Sequence, residues 1–503
     1  MLKGKKAGRR GMIYNFHHFY YWLKGGVETG QAYRAKVFRK LGLEAKFVFA
    51  TTFPYNNIWK ETEYLGFAES EVMWLYGFFT DCRNSSSPYT LEQLESTFTE
   101  KAYDFSKEGT IVKYRFTKAD SYYMVHMLDD NSGGIHRVEV IEEGHLLRKD
   151  FYTYCKIYSE YYVQKENRPH MCLRRFFHEN GEVAFEEIAE EDGVLYKFPD
   201  RILYSREELV GYMMSQLHLT EKDVVLIDGE PGMIERSAFI VNAAPAKVGL
   251  VIHADHYIDY DEEHIWWYGI YEYAFSHAEK IDFFITSTEA QSDLLREQFR
   301  KYKGIEPRVL TIPVMALDKL RVSDKPRRKH ALISAGRLAP EKRMNWVIEA
   351  VVAAKAYVQD LSLDIYGEGA ERQKLQNLIE TLNCGEFVRL CGFQKLDEVY
   401  QKYDAYISAS NVETFGVTLL EAVGAGLPIV GFDIKYGAWV FIEEGKNGYK
   451  APWGDVEGLT KGIVKLFTEA DIESFRQHSY EKAKSYLAEE VEKRWEELLC
   501  PIK

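Results

Sequence analysis

Between about residue 80 and residue 205 the chain exchanges one folding rhythm for another, and this change limits its architecture more than any other feature. Short Tyr/Phe/Val-rich runs in this stretch alternate apolar with polar residues, the period of half-buried antiparallel strands. Turn signals separate them: Asn131-Ser132-Gly133-Gly134, Glu143-Gly144, Asn167-Arg168-Pro169, Asn180-Gly181 and Asp192-Gly193. Asn-Gly and Asp-Gly are strong hairpin signals because their residues tolerate positive φ. The stretch reads as an antiparallel meander inserted into another domain. It also holds many of the 35 Tyr, so the aromatic excess must be buried or must line a recognition surface.

On both sides of the meander strands alternate with helices. MIYNFHH (12–18) reads as a strand running into the glycine turn Lys24-Gly25-Gly26; the amphipathic helix VETGQAYRAKVFRKL follows, closed by Gly42, and then the strand AKFVFAT (45–51). This is how a doubly wound α/β unit opens. The rhythm returns at Ser205-Arg206-Glu207-Glu208, which predicts a capping box, and continues through VVLID (224–228), VGLVIH (248–253) and IDFFITS (281–287). LDKLRVSDKPRRK (317–329) reads as a linker. Beyond it ALISAG, LSLDIYG, VRLCG, DAYISAS and LPIVGFD are the strands of a second α/β domain. The expected fold class is therefore α/β, with two doubly wound Rossmann-like domains and an antiparallel β-meander domain inserted in the first. The expected divisions are a basic leader (1–11), a first domain (12–79 and 206–316), the insertion (80–205), the linker (317–329), a second domain (330–480) and a C-terminal helix (481–503). Two such domains are expected to enclose a cleft at the carboxyl ends of their strands, where α/β folds bind ligands.

Charge and cysteine usage narrow the function. Net charge is −13, and removing the five basic groups of the leader (Lys3, Lys5, Lys6, Arg9, Arg10) leaves −18. An acidic body argues against a nucleic-acid partner, which calls for clustered positive charge. The leader has no apolar stretch behind it, so it does not read as a secretory signal; the simpler reading is a disordered leader with Met12 as the natural start. No apolar run approaches the ~20 residues of a membrane span. The six Cys are scattered without metal-like spacing, which favours a reducing cytoplasm; peripheral membrane contact stays open.

The sharpest chemical signal is Glu413-Thr-Phe-Gly-Val-Thr-Leu-Leu-Glu421, followed by AVGAGLPIVGFD. A helix beginning near Phe415, Gly416, Val417 and Thr418 offers unpaired N–H groups and the positive end of its dipole to a diphosphate, and Gly416 permits close approach. Glu421, two turns deeper, can accept both hydroxyls of a ribose, and Glu413 can hold those of a transferred sugar. Each acid alone reads more simply as a solvated helix residue; the small residues and the Gly-x-Pro strand around them favour the site. A second signal is Ser334-Ala-Gly-Arg337-Leu-Ala-Pro-Glu-Lys342, which brings two cations to the same rim. Charge-assisted bonds to phosphate contribute about 1.5–3 kcal/mol each, weighted here towards a departing diphosphate.

Weaker signals surround these. Gly25 and Gly26 could present N–H groups to the donor phosphates, and Gly392 with Phe393 ends a strand where backbone groups could read a base. Tyr366-Gly367-Glu368-Gly369 is a glycine-rich turn at a strand end. His253-Ala-Asp255-His256 follows an apolar strand and should face the cleft; a hydrogen-bonded structural His is the simpler reading, and a metal lacks an evident third ligand. Asp259-Tyr-Asp261 reads as a loop.

Together the Gly-Gly turn, the Arg…Lys pair, the E-x7-E and the G-x-P strand resemble retaining glycosyltransferases of family 4, of GT-B architecture. GVETGQAYRAKVFRKLGLEAKFVFAT, EVMWLYGFFTD (71–81), LLRKDFYTYC (146–155) and YGAWVFIEEGKNGY (436–449) further resemble the GtfA-type subunits that start O-glycosylation of serine-rich repeat adhesins. That resemblance implies a UDP-sugar donor (UDP-GlcNAc, or UDP-glucose in some relatives), no further cofactor, a Ser/Thr acceptor on a serine-rich repeat polypeptide, and a GtfB-type acceptor-binding partner docking through the inserted sheet. A homo-oligomer stays open. It also implies an acceptor-side first domain and a nucleotide-sugar-binding second domain. Arg337 and Lys342 would hold the diphosphate with help from Gly26. Glu421 would bind ribose and Glu413 the sugar, with His253 lining the acceptor side. Asn411-Val412 departs from the small polar residues expected before Glu413. No carboxylate stands out as a nucleophile, which favours front-side attack with the leaving phosphate taking the hydroxyl proton. The rivals are a wall teichoic acid α-glycosyltransferase, whose polyanionic acceptor would want a basic strip where Glu186, Glu187, Glu190, Glu191 and Asp192 stand, and a non-catalytic chaperone or adaptor subunit, against which the intact motif set counts.

Overall fold

The computed structural model describes residues 11–17, 26–53, 58–85, 87–99, 101–102, 104–116, 120–128, 133–191, 193–229, 236–323 and 325–499. Gly25, Asn131, Ser132, Asp192, Cys500 and most of the leader lie outside them. The chain divides into two compact units, one running to Val251 and including Trp267–Phe283, the other holding Ile252–Trp266 and the chain from Phe284 on.

One parallel sheet has seven strands in the order Val309–Thr311, Phe283–Thr286, Lys247–Ile252, Val224–Gly229, Met12–His17, Glu44–Phe49, Val72–Trp74. Its central strands read as unbroken apolar runs because both faces are covered: Val224, Val225, Leu226 and Ile227 are all fully buried. Under the central strands lies a buried polar cluster. Arg34 and Asp228 form an ion pair at 3.1 Å, and Asn15 donates to Asp228 at 2.5 Å. Breaking such a pair costs more than the pair itself contributes, because the partner left behind stays buried and charged.

The insertion is a ten-stranded antiparallel sheet between Asp104 and Leu203, its strands paired in sequence order. Glu143 and Gly144 both take positive φ, as a two-residue hairpin turn requires, and Gly181 does so after Asn180. The turn expected at Asn167-Arg168-Pro169 falls one residue earlier. Glu166 and Asn167 hold the positive φ values, while Arg168 and Pro169 already belong to the strand Arg168–Phe177, paired with Lys165 and Gln164. The aromatic excess is largely core: Tyr158, Phe176, Phe185 and Phe198 stack in succession, with centroids 5.4, 4.4 and 4.8 Å apart. Arg174 lies between Glu160 at 2.8 Å and Glu187, and Arg175 pairs with Glu186 at 2.7 Å, so two of the sheet's basic groups are already neutralised.

At Ser205 half of the expected capping box forms. Its hydroxyl accepts the Glu208 N–H at 3.2 Å, but the Glu208 carboxylate takes the Tyr204 N–H at 2.7 Å instead of that of Ser205. The cysteines are less scattered than their spacing implies: Cys82 and Cys155, 73 residues apart, bring their sulfurs to 3.8 Å as free thiols.

A second parallel sheet has six strands in the order Val388–Gly392, Ser362–Tyr366, Ala331–Ala335, Ala405–Ser408, Ile429–Phe432, Gly448–Ala451. The order reverses between the third and fourth, the point at which ligands enter folds of this kind. Residues 317–329 hug this domain: Arg321 N–H donates to the Gly424 carbonyl, and the Arg327 guanidinium caps those of Tyr403 and Ala425. Two parallel α/β sheets and an inserted antiparallel one are thus observed, the expected fold class. Among the described residues no helix is long and apolar enough to cross a membrane.

His136 gives this fold an acid-labile point. Burial, aided by Arg137 and His126, depresses its pKa to about 3. The unfolded chain takes up that proton below its ordinary pKa of about 6.5, whereas the folded chain resists until about 3, so stability is lost as pH falls through this window. We expect His136→Phe to flatten the fall by up to one proton's worth, read as the difference between wild-type and variant denaturant melts from pH 7 to pH 4. Parallel curves would show that His136 is not the group responsible.

Candidate functional site

At the strand reversal two loops meet. The first leaves the strand Ala331–Ala335 through Gly336 and carries Arg337 and, in the short turn Pro340–Lys342, its lysine. The second leaves Ala405–Ser408 and carries Ser410, Asn411 and Glu413 to the helix Val417–Gly424. Lys342 Nζ lies 2.6 Å from Glu413 Oε1, and that oxygen also accepts from Ser410 Oγ at 2.8 Å. Asn411, the apparent departure before Glu413, ties the loops together. Its N–H donates to the Glu341 carbonyl at 2.9 Å, and its side-chain oxygen accepts from Arg343 Nε at 3.1 Å. Arg337 is half exposed and pairs only loosely with Glu341 at 3.1 Å, which leaves its guanidinium able to turn to an anion.

Gly416, at φ +82°, is the N-cap of the helix, a backbone conformation that side-chain-bearing residues rarely adopt. Val417 and Thr418 open the helix, and Thr418 Oγ1 is held by Tyr406 Oη at 2.9 Å. Phe415 does not offer its ring to a ligand: it is buried against Phe441 and Tyr486, so only its backbone borders the helix start. Glu421 is half-buried in the second turn, its carboxyl raised above the usual range by burial and drawn back by Tyr400 and Arg321. At the neighbouring strand ends, Gly367 N–H donates to the Gly392 carbonyl at 2.9 Å, while Phe393 is 78% exposed and free to lie against a flat ring. Gly26 is the first residue of the helix Gly26–Lys40, and among the described residues no atom lies within 4 Å of where its Cβ would stand.

His253 is half-buried just beyond the strand Lys247–Ile252. In the same segment His256 is fully buried and structural. Its Nε2 meets Gln298 Oε1 at 2.7 Å and its Nδ1 faces Tyr436 Oη at 3.4 Å, and burial lowers its pKa to about 4. Asp255 is half-buried with its carboxyl raised by desolvation. Among the described residues no cluster of three His, Cys, Asp or Glu could hold a metal. Asp259-Tyr-Asp261 is not a plain loop: Asp259 lies in the strand Tyr257–Tyr260, paired with Ile265–Trp267, and Asp261 accepts the N–H groups of Glu263 and His264 at the turn. The exposed Ile258, Tyr260 and Trp266 hide this hairpin from a reading by burial pattern.

No site role attaches to Ser410, Tyr400 or Tyr436 in the sequence reading. Tyr436 is fully buried at φ +65°, strained for a residue with a side chain, and bridges to Glu413; the next N–H, of Gly437, donates to the Glu413 carbonyl at 2.7 Å. The tyrosine within YGAWVF could have flagged this loop, but its backbone strain has no signature in sequence.

The profile of the glycosyl transferases group 1 matches residues 318–486, and that of the GtfA extended beta-sheet domain matches residues 104–200. A UDP-N-acetylglucosamine–peptide N-acetylglucosaminyltransferase GtfA subunit of Streptococcus agalactiae is 43% identical over 495 residues, covering 96% of this chain and 97% of its own. The chain belongs to the GtfA family. The crystal structure of the pneumococcal O-GlcNAc transferase GtfA in complex with UDP and GlcNAc superposes with a TM-score of 0.91 at 34% identity, covering 98% of this chain and 99% of its own. A chain from the crystal structure of a GtfA/B complex matches with the same TM-score of 0.91 at 38% identity, over 98% of this chain and 99% of its own. The fold is thus that of the GtfA structures: GT-B, with the family's inserted sheet.

The turn after the strand Ser362–Tyr366 approaches the first loop so closely that Gly367 has no room for a side chain: a Cβ would stand 1.8 Å from the Gly336 carbonyl oxygen, and φ is +140°. Gly367→Ala should push the Gly336-Arg337 turn away and lower stability by about 2–3 kcal/mol, measured by urea melts. A loss below about 0.5 kcal/mol would mean the turn relaxes freely and the close approach carries no constraint.

Proposed function

We propose that this protein transfers N-acetylglucosamine from UDP-GlcNAc, with retention, to Ser or Thr of a serine-rich repeat polypeptide, acting with a GtfB-type partner in the cytoplasm. The observation that carries the reading is the near-full-length similarity to GtfA subunits named for this reaction, in a chain that keeps Arg337, Lys342, Glu413 and Glu421 at the strand reversal. Arg337 and Lys342 take the diphosphate, assisted by the N–H groups at Gly416, Val417 and Thr418. Glu421 takes the ribose, Glu413 the transferred sugar, and Gly392 with Phe393 borders the base. His253 is read as lining the acceptor side of the sugar.

The chemistry follows from charge. As the glycosidic bond stretches, negative charge builds on the leaving diphosphate oxygen, and Lys342 meets it with a full ammonium charge. Stabilisation that grows towards the transition state is what accelerates the step. The same oxygen, on the face the acceptor approaches, can accept the hydroxyl proton, so front-side attack needs no carboxylate nucleophile. Glu413, already held by Lys342 and Ser410, is fixed for a sugar hydroxyl before the donor arrives.

A teichoic acid acceptor fits less well. Arg174 and Arg175 of the inserted sheet are engaged by Glu160, Glu187 and Glu186, and the sheet matches the GtfA-specific domain. An adaptor role without catalysis is opposed by the intact set of cations and acids.

Transfer of radiolabelled sugar from UDP-GlcNAc to a serine-rich repeat peptide, with the GtfB-type partner present, should proceed well above that from UDP-glucose. Lys342→Ala and Glu413→Gln should each lower kcat by about 10²–10³-fold. Turnover on a polyol-phosphate polymer without transfer to peptide would replace the acceptor in this reading and leave the fold untouched.

A further inference from the structure

Glu421 must do two things that oppose each other. A carboxylate that accepts two ribose hydroxyls has to be ionised and fixed in one rotamer, yet burial disfavours its charge. The structure supplies a partner for one of its oxygens. Tyr400, in the short turn Tyr400–Lys402, is fully buried and donates from Oη to Glu421 Oε2 at 2.8 Å. We propose that Tyr400 is the positioning residue for the donor's ribose, binding one oxygen of Glu421 so that the other is presented to the ribose hydroxyls. This rests on the reading above that Glu421 takes the ribose.

Three features support it. First, the hydroxyl stays a donor. Burial and the adjacent carboxylate push the Tyr400 phenol well above its ordinary value, so it never competes with Glu421 as an anion. Second, the arrangement recurs one helical turn earlier. Tyr406 Oη reaches Thr418 Oγ1 at 2.9 Å, and Thr418 and Glu421, three residues apart, lie on one face of the helix. Two buried tyrosines from neighbouring segments thus hold two side chains on that face. Third, the other charges around Glu421 act on it without a hydrogen bond. Arg321 attracts it but is bound to Asp397 at 2.6 Å, and Asp397 repels it. Among the described residues, Tyr400 alone donates a side-chain hydrogen bond to this carboxyl.

A buried tyrosine hydroxyl also needs a partner simply to be satisfied, and the ring packs near Tyr406 at 6.3 Å. A packing role alone would cost stability and treat every ligand alike. The positioning role makes the loss depend on the ribose hydroxyls.

The test is Tyr400→Phe, which keeps the ring, with binding of UDP and of 2′,3′-dideoxy-UDP measured by calorimetry on the full-length protein. We expect UDP to bind about tenfold more weakly and dideoxy-UDP to bind as it does to wild-type, since it offers Glu421 nothing to hold. Comparing two ligands on one preparation removes any change in folded fraction. The KM for UDP-GlcNAc should rise with kcat nearly unchanged. Removing the hydroxyl takes away a contact that lowers the Glu421 pKa, so the acidic limb of UDP affinity should move to higher pH. Equal losses for the two ligands, or none for either, would overturn the proposal. Glu421→Gln separates it from its premise. If that variant loses the preference for UDP over dideoxy-UDP while Tyr400→Phe keeps it, the tyrosine is not the positioning residue. If Glu421→Gln keeps the preference, the ribose reading itself is wrong.

Discussion

A lysine ammonium 2.6 Å from a glutamate carboxylate holds this site in register, and the surrounding geometry follows from keeping that contact. Lys342 arrives from the third strand of the second sheet and Glu413 from the fourth, so the ion pair closes the gap that opens where strand order reverses. A contact of this kind, half-buried and bolstered by the Ser410 hydroxyl, is worth more than an exposed pair and costs more to break on one side. In the proposed reading, a diphosphate drawn to Lys342 competes for the ammonium that Glu413 holds and frees carboxylate capacity for the sugar, so the two halves of the donor would be recognised by groups that constrain each other.

The backbone around the pair explains why glycine and strain concentrate here. Gly336 and Gly367 approach so closely that neither loop can move without the other, and Gly416 turns the second loop into its helix at φ +82°. Tyr436, strained and buried, braces the far side of Glu413. Such strain persists only where neighbouring structure over-determines it, and here that structure is the apolar core of the second domain, from Ile333 through Ile407 to Val430.

Legibility in the sequence tracked the range of each interaction. The parallel strands were plain because burial on both faces makes continuous apolar runs, and the meander because burial on one face makes alternation. Gly416, Glu413 and Glu421 showed themselves through local spacing along one loop and helix. The misses are long-range or conformational. The turn at Glu166–Asn167 was displaced because a proline was taken as a turn residue, although it can stand in a strand. Cys82 and Cys155 looked unrelated because only the sheet's fold-back joins residues 73 apart. Ser410 and Tyr400 carry no motif at all, since a hydroxyl is informative only through the carboxylate it reaches.

In the proposed reading the helix Val417–Gly424 is a recognition element for the donor. Its N-terminus provides N–H groups and a positive field, which attract any anion and discriminate little between phosphate-bearing ligands. Selectivity for a nucleotide sugar must come from groups that accept hydrogen bonds in fixed directions, and in the proposed reading these are Glu413 and Glu421. Each is held by a donor outside the helix: Lys342 and Ser410 for the first, Tyr400 for the second. A carboxylate fixed in this way pays little rotamer entropy on binding and rejects a ligand without matching hydroxyls, because its lone pairs would be left unpaired. The helix supplies attraction, and the side chains packed behind it turn attraction into choice.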